Sequence, residues 1–149
     1  MKTSTARIKP LKHEAEFPQL NIAPTRFVVH SRQEIKIILI DEVVCCIADG
    51  NYTMIHLTDG SKCMVSKTLK NVECMLYPSL FLRIHASYLV NLNCIKRILK
   101  THPYKVELPF NLVLNISHSR QKLLLQRIEA MCKSVPDIRK EHSINVTAQ

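Results

Sequence analysis

A chain of 149 residues, 46% hydrophobic and 22% charged, suffices for one compact domain with tails and is too short for two of ordinary size. Lys plus Arg number 21 against 12 Asp plus Glu, and the formal charge of +9 favours polyanionic partners, nucleic acid or an anionic surface. A collagenous, mucin-like or wholly disordered chain is excluded, the longest apolar runs fall far short of the ~20 residues of a membrane span, and the N-terminus lacks the apolar core of a secretory signal, so a cytoplasmic protein without membrane contact is expected.

Residues 1–30 read as an N-terminal arm or linker, polar and broken by Pro10, Pro18 and Pro24, with strand-like character only over 26–30. The two glycines each follow aspartate, in Asp49-Gly50-Asn51 and Asp59-Gly60, between short runs of β-branched, aromatic and aliphatic residues. Such dipeptides mark hairpin turns, and reading outwards from them predicts strands over 34–40, 43–48, 52–57 and 61–65. Leu69, Val72, Met75 and Leu76 then recur at helical spacing, with Ser66 as the expected N-cap and Pro78 as the stop. Strands resume over 81–84, 88–90, 95–99, 104–108 and 112–116, the last pair turned by Pro109-Phe110-Asn111 without the glycine such turns favour. A second helix follows over 120–133, with Leu124, Ile128, Met131 and Cys132 on its apolar face. Residues 134–149 are polar, contain Pro136 and read as a disordered tail. The fold class is mainly β: small antiparallel sheets with two short helices.

Six cysteines, at positions 45, 46, 63, 74, 94 and 132, form no C-x-x-C pair. Neighbours in a strand face opposite ways, so Cys45 and Cys46 are poorly placed to share an ion, and reduced thiols packed as small hydrophobes are expected, with a zinc site the lesser alternative. Enzyme templates fail as well: there is no H-E-x-x-H, G-x-S-x-G, P-loop or G-x-G-x-x-G. The pairs His85 with Cys94 and Asp41 with Glu42 have spacings that specify no mutual geometry. No enzyme activity, cofactor or metal is expected.

Positive charge is concentrated. From Lys62 to Lys105 the chain carries Lys62, Lys67, Lys70, Arg83, Lys96, Arg97, Lys100 and Lys105 against the single acid Glu73. A cationic face attracts phosphates and releases counterions, with a log–log salt slope of about 0.9 per phosphate neutralised.

Four blocks then stand in order: Ile47-Ala48-Asp49-Gly50-Asn51-Tyr52-Thr53, Leu57-Thr58-Asp59-Gly60, Val65-Ser66-Lys67-Thr68-Leu69, and Phe81-Leu82-Arg83-Ile84-His85-Ala86-Ser87-Tyr88-Leu89-Val90-Asn91. Together they resemble the LytTR DNA-binding domain of bacterial transcription regulators, with the domain over 31–133. The resemblance implies an elongated fold that reads double-stranded DNA through loops, on pairs of direct repeats, with two copies of the chain side by side on DNA. The turn after Gly50 and the entry to the last helix would reach successive major grooves, and the stretch around His85 the minor groove between them.

Carried over by residue, the first contact region maps to Asn51 and Tyr52. Asn suits a bidentate bond to an adenine edge, but it also tolerates a left-handed turn, and the two readings stand level. Tyr52 serves either DNA or ring packing. The second region maps to His85 and Ser87, with Arg83 nearby; Ala86 replaces the long polar residue common in relatives and cannot donate to a groove acceptor. Asn91 is read as structural. The third region maps to Ser117, His118, Ser119, Arg120 and Lys122 at a helix start, where backbone N–H groups favour a phosphate and a serine also serves as a cap. Arg120 is expected to contact a guanine or a phosphate, and Lys67 and Lys122 phosphates.

Relatives commonly carry a phosphate-accepting receiver domain, which residues 1–30 are too short to supply. The expectation is therefore a stand-alone regulator controlled by its abundance or by a separate regulatory protein. The competing expectation, favoured by Ala86 and Ser119, is an interaction or anti-activator module that keeps the fold without sequence-specific binding.

Overall fold

A computed structural model describes residues 24–137. The expected arm ahead of Pro24 and the tail beyond Asp137 lie outside the described residues. By its contacts the chain divides into two units, at Ile40 and Asp41.

The first unit contributes β1 (Arg26–His30) and β2 (Ile35–Leu39), antiparallel in a register that sets Val28 opposite Ile37. Ser31 closes the hairpin, its N–H and hydroxyl both donating to the Glu34 carbonyl at 2.9 and 3.0 Å. Phe27 and Ile38 are buried, while Val28, Ile35, Ile37 and Leu39 are exposed.

The second unit runs β3 (Val43–Asp49), β4 (Tyr52–Leu57), β5 (Lys62–Val65), α1 (Leu69–Glu73), β6 (Phe81–His85), β7 (Tyr88–Asn91), β8 (Arg97–Leu99), β9 (Lys105–Leu108), β10 (Leu112–Asn115) and α2 (His118–Met131). It forms a five-stranded antiparallel sheet, order β5-β4-β3-β7-β6, and a three-stranded sheet, order β10-β9-β8. The expected fold class is the one observed, small antiparallel sheets with two helices.

One face of the five-stranded sheet supplies Cys45, Leu82, Ile84 and Val90, with Val44 added beside Cys45 at a register shift in β3, to a core completed by Val106, Leu108, Leu114 and Ile116 of the smaller sheet's region and by Leu124 of α2. The period-two alternation of each strand sends the next residues the other way. There α1 lies against β3, β4 and β7, burying Leu69 and Val72. Burying a Leu or Val contributes about 1.5–3 kcal/mol each, which is what holds so short a helix in place.

Three local expectations are corrected. The α1 cap is Thr68, whose Oγ1 accepts from the Asn71 N–H at 3.3 Å, and not Ser66. The strand expected over 95–99 begins at Arg97, because a 3-10 turn over Leu92–Cys94 comes first. The α2 apolar face is shorter than read: Leu124 is fully buried and Ile128 packs on the core, whereas Met131 and Cys132 are exposed. The last turn of α2 is therefore solvent-facing.

Candidate nucleic-acid interface

Register alone gathers the candidate residues. β3 ends at Asp49 and β4 begins at Tyr52; Val65 at the end of β5 pairs with Thr53; β6 ends at His85, and Tyr88 at the start of β7 pairs with Ile47. Three connections thus leave the five-stranded sheet at one end: Gly50-Asn51, the loop carrying Lys67, and the turn Ala86-Ser87. The start of α2 joins them, because the Ser117 N–H donates to the Ile84 carbonyl at 2.9 Å.

At the first connection Gly50 takes a positive φ of 63° and Asn51 does not. This is the pattern of a two-residue II′ loop with glycine in its first central place. Asn51 is therefore not there for its tolerance of left-handed backbone, and its exposed side chain has no hydrogen bond among the described residues. Tyr52 is 51% exposed, so ring packing takes up only part of it. Beneath them Thr53 is fully buried, and its hydroxyl donates to the Lys67 carbonyl at 2.8 Å, fixing the loop from which the exposed Lys67 projects.

In the second connection His85 Nδ1 accepts from the Ser87 N–H at 3.0 Å, and the ring stacks on Tyr88 at 4.7 Å between centroids. An accepting Nδ1 places the proton on Nε2, which makes the far side of the ring a donor. The turn is also tied to the sheet, the Ala48 N–H donating to the Ser87 carbonyl at 2.9 Å. Ala86 is exposed between them.

Arg83 departs from expectation. Its guanidinium donates from Nε to the His85 carbonyl at 3.2 Å, from Nη1 to Glu73 Oε1 at 3.0 Å, and from Nη2 to the Ala86 carbonyl. These internal bonds take one N–H on each of the three guanidinium nitrogens, three of its five donors, and turn that side chain towards the protein.

In the third region Ser117 occupies the N-cap of α2, with no side-chain cap bond. Its hydroxyl lies 3.5 Å from that of Ser119. The serine-cap reading is thus satisfied in position and not in hydrogen bonding. His118, Ser119, Arg120 and Lys122 are exposed, and neither Arg120 nor Lys122 has an ion-pair partner among the described residues. An open notch lies between Glu73, Arg83 and His85 on one side and Ser117, Ser119 and Arg120 on the other.

Sequence reasoning missed three residues that hold the elements of this site, Thr53 and Glu73 at this end of the sheet and Arg127 at the other. Thr53 reads as an ordinary strand residue. Arg127 donates to the Pro78 and Ser79 carbonyls at 2.8 and 3.0 Å and pins α2 to the loop before β6, at the far end of that strand. Glu73 had a visible signal, being the lone acid between Lys62 and Lys105.

The cations that cluster in sequence do not share one surface. Lys62 starts β5 opposite His56, a strand's length of about 15 Å from Lys67, and Arg97 pairs with Glu107 across β8 and β9. Burial, with Lys62 adding to it, holds the His56 imidazole below its ordinary pKa. Burial likewise pushes the Cys45 thiol up to about 12 and Cys46 higher still, so both behave as inert hydrophobes. Among the described residues no group of three His, Cys, Asp or Glu is placed to hold a metal, and no helix is long and apolar enough to cross a membrane.

A family model described as the LytTr DNA-binding domain matches residues 33–129. The fold is similar to the solved structure of a LytTr DNA-binding domain from Bacillus cereus, at 18% identity and a TM-score of 0.62, over 71% of this chain and 98% of that one. No curated protein sequence matches the chain.

Proposed function

This chain belongs to the LytTR family of DNA-binding domains, and from that premise we propose that it regulates transcription by binding double-stranded DNA sequence-specifically through the loops at one end of its five-stranded sheet. The observation that carries this reading is the convergence there of the Asn51 tip, the His85–Ser87 turn and the start of α2, flanked by the exposed cations Lys67 and Arg120, which have no ion-pair partner among the described residues.

Each group has a distinct role in this reading. Asn51 offers a paired donor and acceptor to an adenine edge, and Arg120 a planar fork to a guanine or a phosphate. Lys67 and Lys122 supply phosphate contacts, which set affinity and register without carrying sequence. His85, through Nε2–H, and Ser87 face the groove between, where Ala86 adds no donor and the width of the groove is read instead. The free N–H groups and positive dipole end of α2, with Ser117, His118 and Ser119, favour a phosphate beside Arg120. Two copies on direct repeats are the arrangement in which one short row of contacts would yield adequate specificity.

Selection from a random duplex library at two salt concentrations tests the reading, with enrichment of spaced repeats expected. Enrichment of nothing sinks it in favour of an interaction module. Arg120→Ala should relax preference at one base position by about 1–3 kcal/mol. Lys67→Ala should weaken all sequences alike, with the salt slope shallower by about 0.9. Unchanged binding by both variants would remove these residues from the interface.

A further inference from the structure

We propose that Arg83 is a positioning residue, anchored by Glu73, that acts on DNA through the turn it holds and not by touching a phosphate. The inference rests on the DNA-binding reading above. An arginine at the cationic end of the sheet looks at first like one more phosphate contact. Its geometry argues otherwise. The guanidinium bonds the carbonyls of two consecutive residues, His85 and Ala86, and the carboxylate of Glu73 at the end of α1. The side chain is only 23% exposed.

With Arg83 in place, the polar backbone of the turn is almost wholly engaged. The His85 and Ala86 carbonyls go to Arg83, the Ser87 N–H to His85 Nδ1 at 3.0 Å, and the Ser87 carbonyl to the Ala48 N–H at 2.9 Å. A turn with its backbone fixed in this way presents His85 and Ser87 in one arrangement, so binding incurs little ordering cost. Only a planar fork with several divergent donors reaches all three acceptors; a lysine ammonium carries the same charge as a point and does not.

Glu73 sharpens the argument. It is the one acid between Lys62 and Lys105, and by Coulomb's law a carboxylate beside a DNA-facing edge opposes phosphate binding. Its presence is explained by what it does for Arg83: it holds one side of the guanidinium so that the other reaches the turn.

The full chain would be titrated with a labelled mixed-sequence duplex across a salt series. Arg83→Lys should bind about tenfold more weakly with the wild-type salt slope, and Glu73→Gln should also weaken binding, although it removes a negative charge. Arg83→Lys binding like wild type, Arg83→Gln losing about 0.9 from the slope, or Glu73→Gln binding more tightly would each overturn the proposal. Amide hydrogen exchange without DNA reads the clamp separately: the Ser87 N–H should exchange faster in Arg83→Lys and Glu73→Gln, with β3 and β7 protected as before. Unchanged Ser87 protection overturns the clamp itself, whereas a wild-type chain that ignores the duplex overturns the DNA-binding reading on which the inference rests.

Discussion

Asn91 lies in a block that resembles DNA-binding sequence, yet its chemistry is consumed by folding. It is 2% exposed, its Nδ2 donates to the Val43 carbonyl at 2.8 Å, and its Oδ1 accepts from the Asn93 N–H at 2.9 Å. One side chain thus joins the start of β3 to the 3-10 turn after β7. Asn91→Ala leaves both backbone groups without a partner and should cost about 2–3 kcal/mol, read as a lower urea midpoint with an unchanged m-value. A loss under about 0.5 kcal/mol would mean that water replaces the amide. At this scale the sequence was an uneven guide. The structural role of Asn91 and the chemical types at the site were legible, because an amide, a guanidinium and a helix start have fixed donor patterns. Whether Arg83 faced DNA or the protein was not, because that depends on Glu73, ten residues away and brought near only by the packing of α1.

Turn chemistry shows the same division among the elements. Asp-Gly marked both hairpins correctly, since only glycine takes the positive φ of 63° at Gly50 and 88° at Gly60 without strain. The two glycines are nonetheless unequal. A Cβ at Gly50 would meet nothing within 4 Å, whereas at Gly60 it would lie 3.2 Å from the Phe110 ring. Gly50→Ala should therefore cost about 1–2 kcal/mol for left-handed backbone alone, and Gly60→Ala measurably more, by thermal melting of the two variants side by side. Equal losses would mean that the Phe110 ring moves aside freely. Phe110 and Asn111 themselves adopt φ of 65° and 58° where the sequence offers no glycine. Sequence periodicity located most strands but not their neighbours: that β3 pairs with β7 as well as β4 is decided by a shared core, which no window along the chain contains.

For the DNA-binding unit as a whole, the dimensions of the contact row limit how it can engage a duplex. From the Gly50-Asn51 tip to the edge strand that anchors α2 is between two and three strand spacings, about 12 Å at the backbone. Successive major grooves on one face of straight B-DNA lie about 34 Å apart. A row this short reaches both only if long side chains such as Arg120 extend outward and the duplex curves towards the sheet, at an elastic cost of about 1–6 kcal/mol. Circular-permutation mobility of the complex should therefore reveal a bend centred on the site, and a straight duplex would restrict the protein to a single groove and its rims. The scatter of the lysines also sets a ceiling on the salt slope, since Lys62 and Arg97 are too far from this row, or too engaged, to contribute.

The exposed side chains of Asn51, Ala86 and Ser119 have almost no part in holding the architecture: among the described residues Asn51 makes no side-chain hydrogen bond, Ser119 meets only Ser117, and Ala86 offers only a methyl group. If these side chains read DNA as proposed, the address can drift, or be rewritten by saturation at three positions, without a matching penalty in foldedness. Paralogues that diverge at these sites would come to serve different promoters on one unchanged chassis.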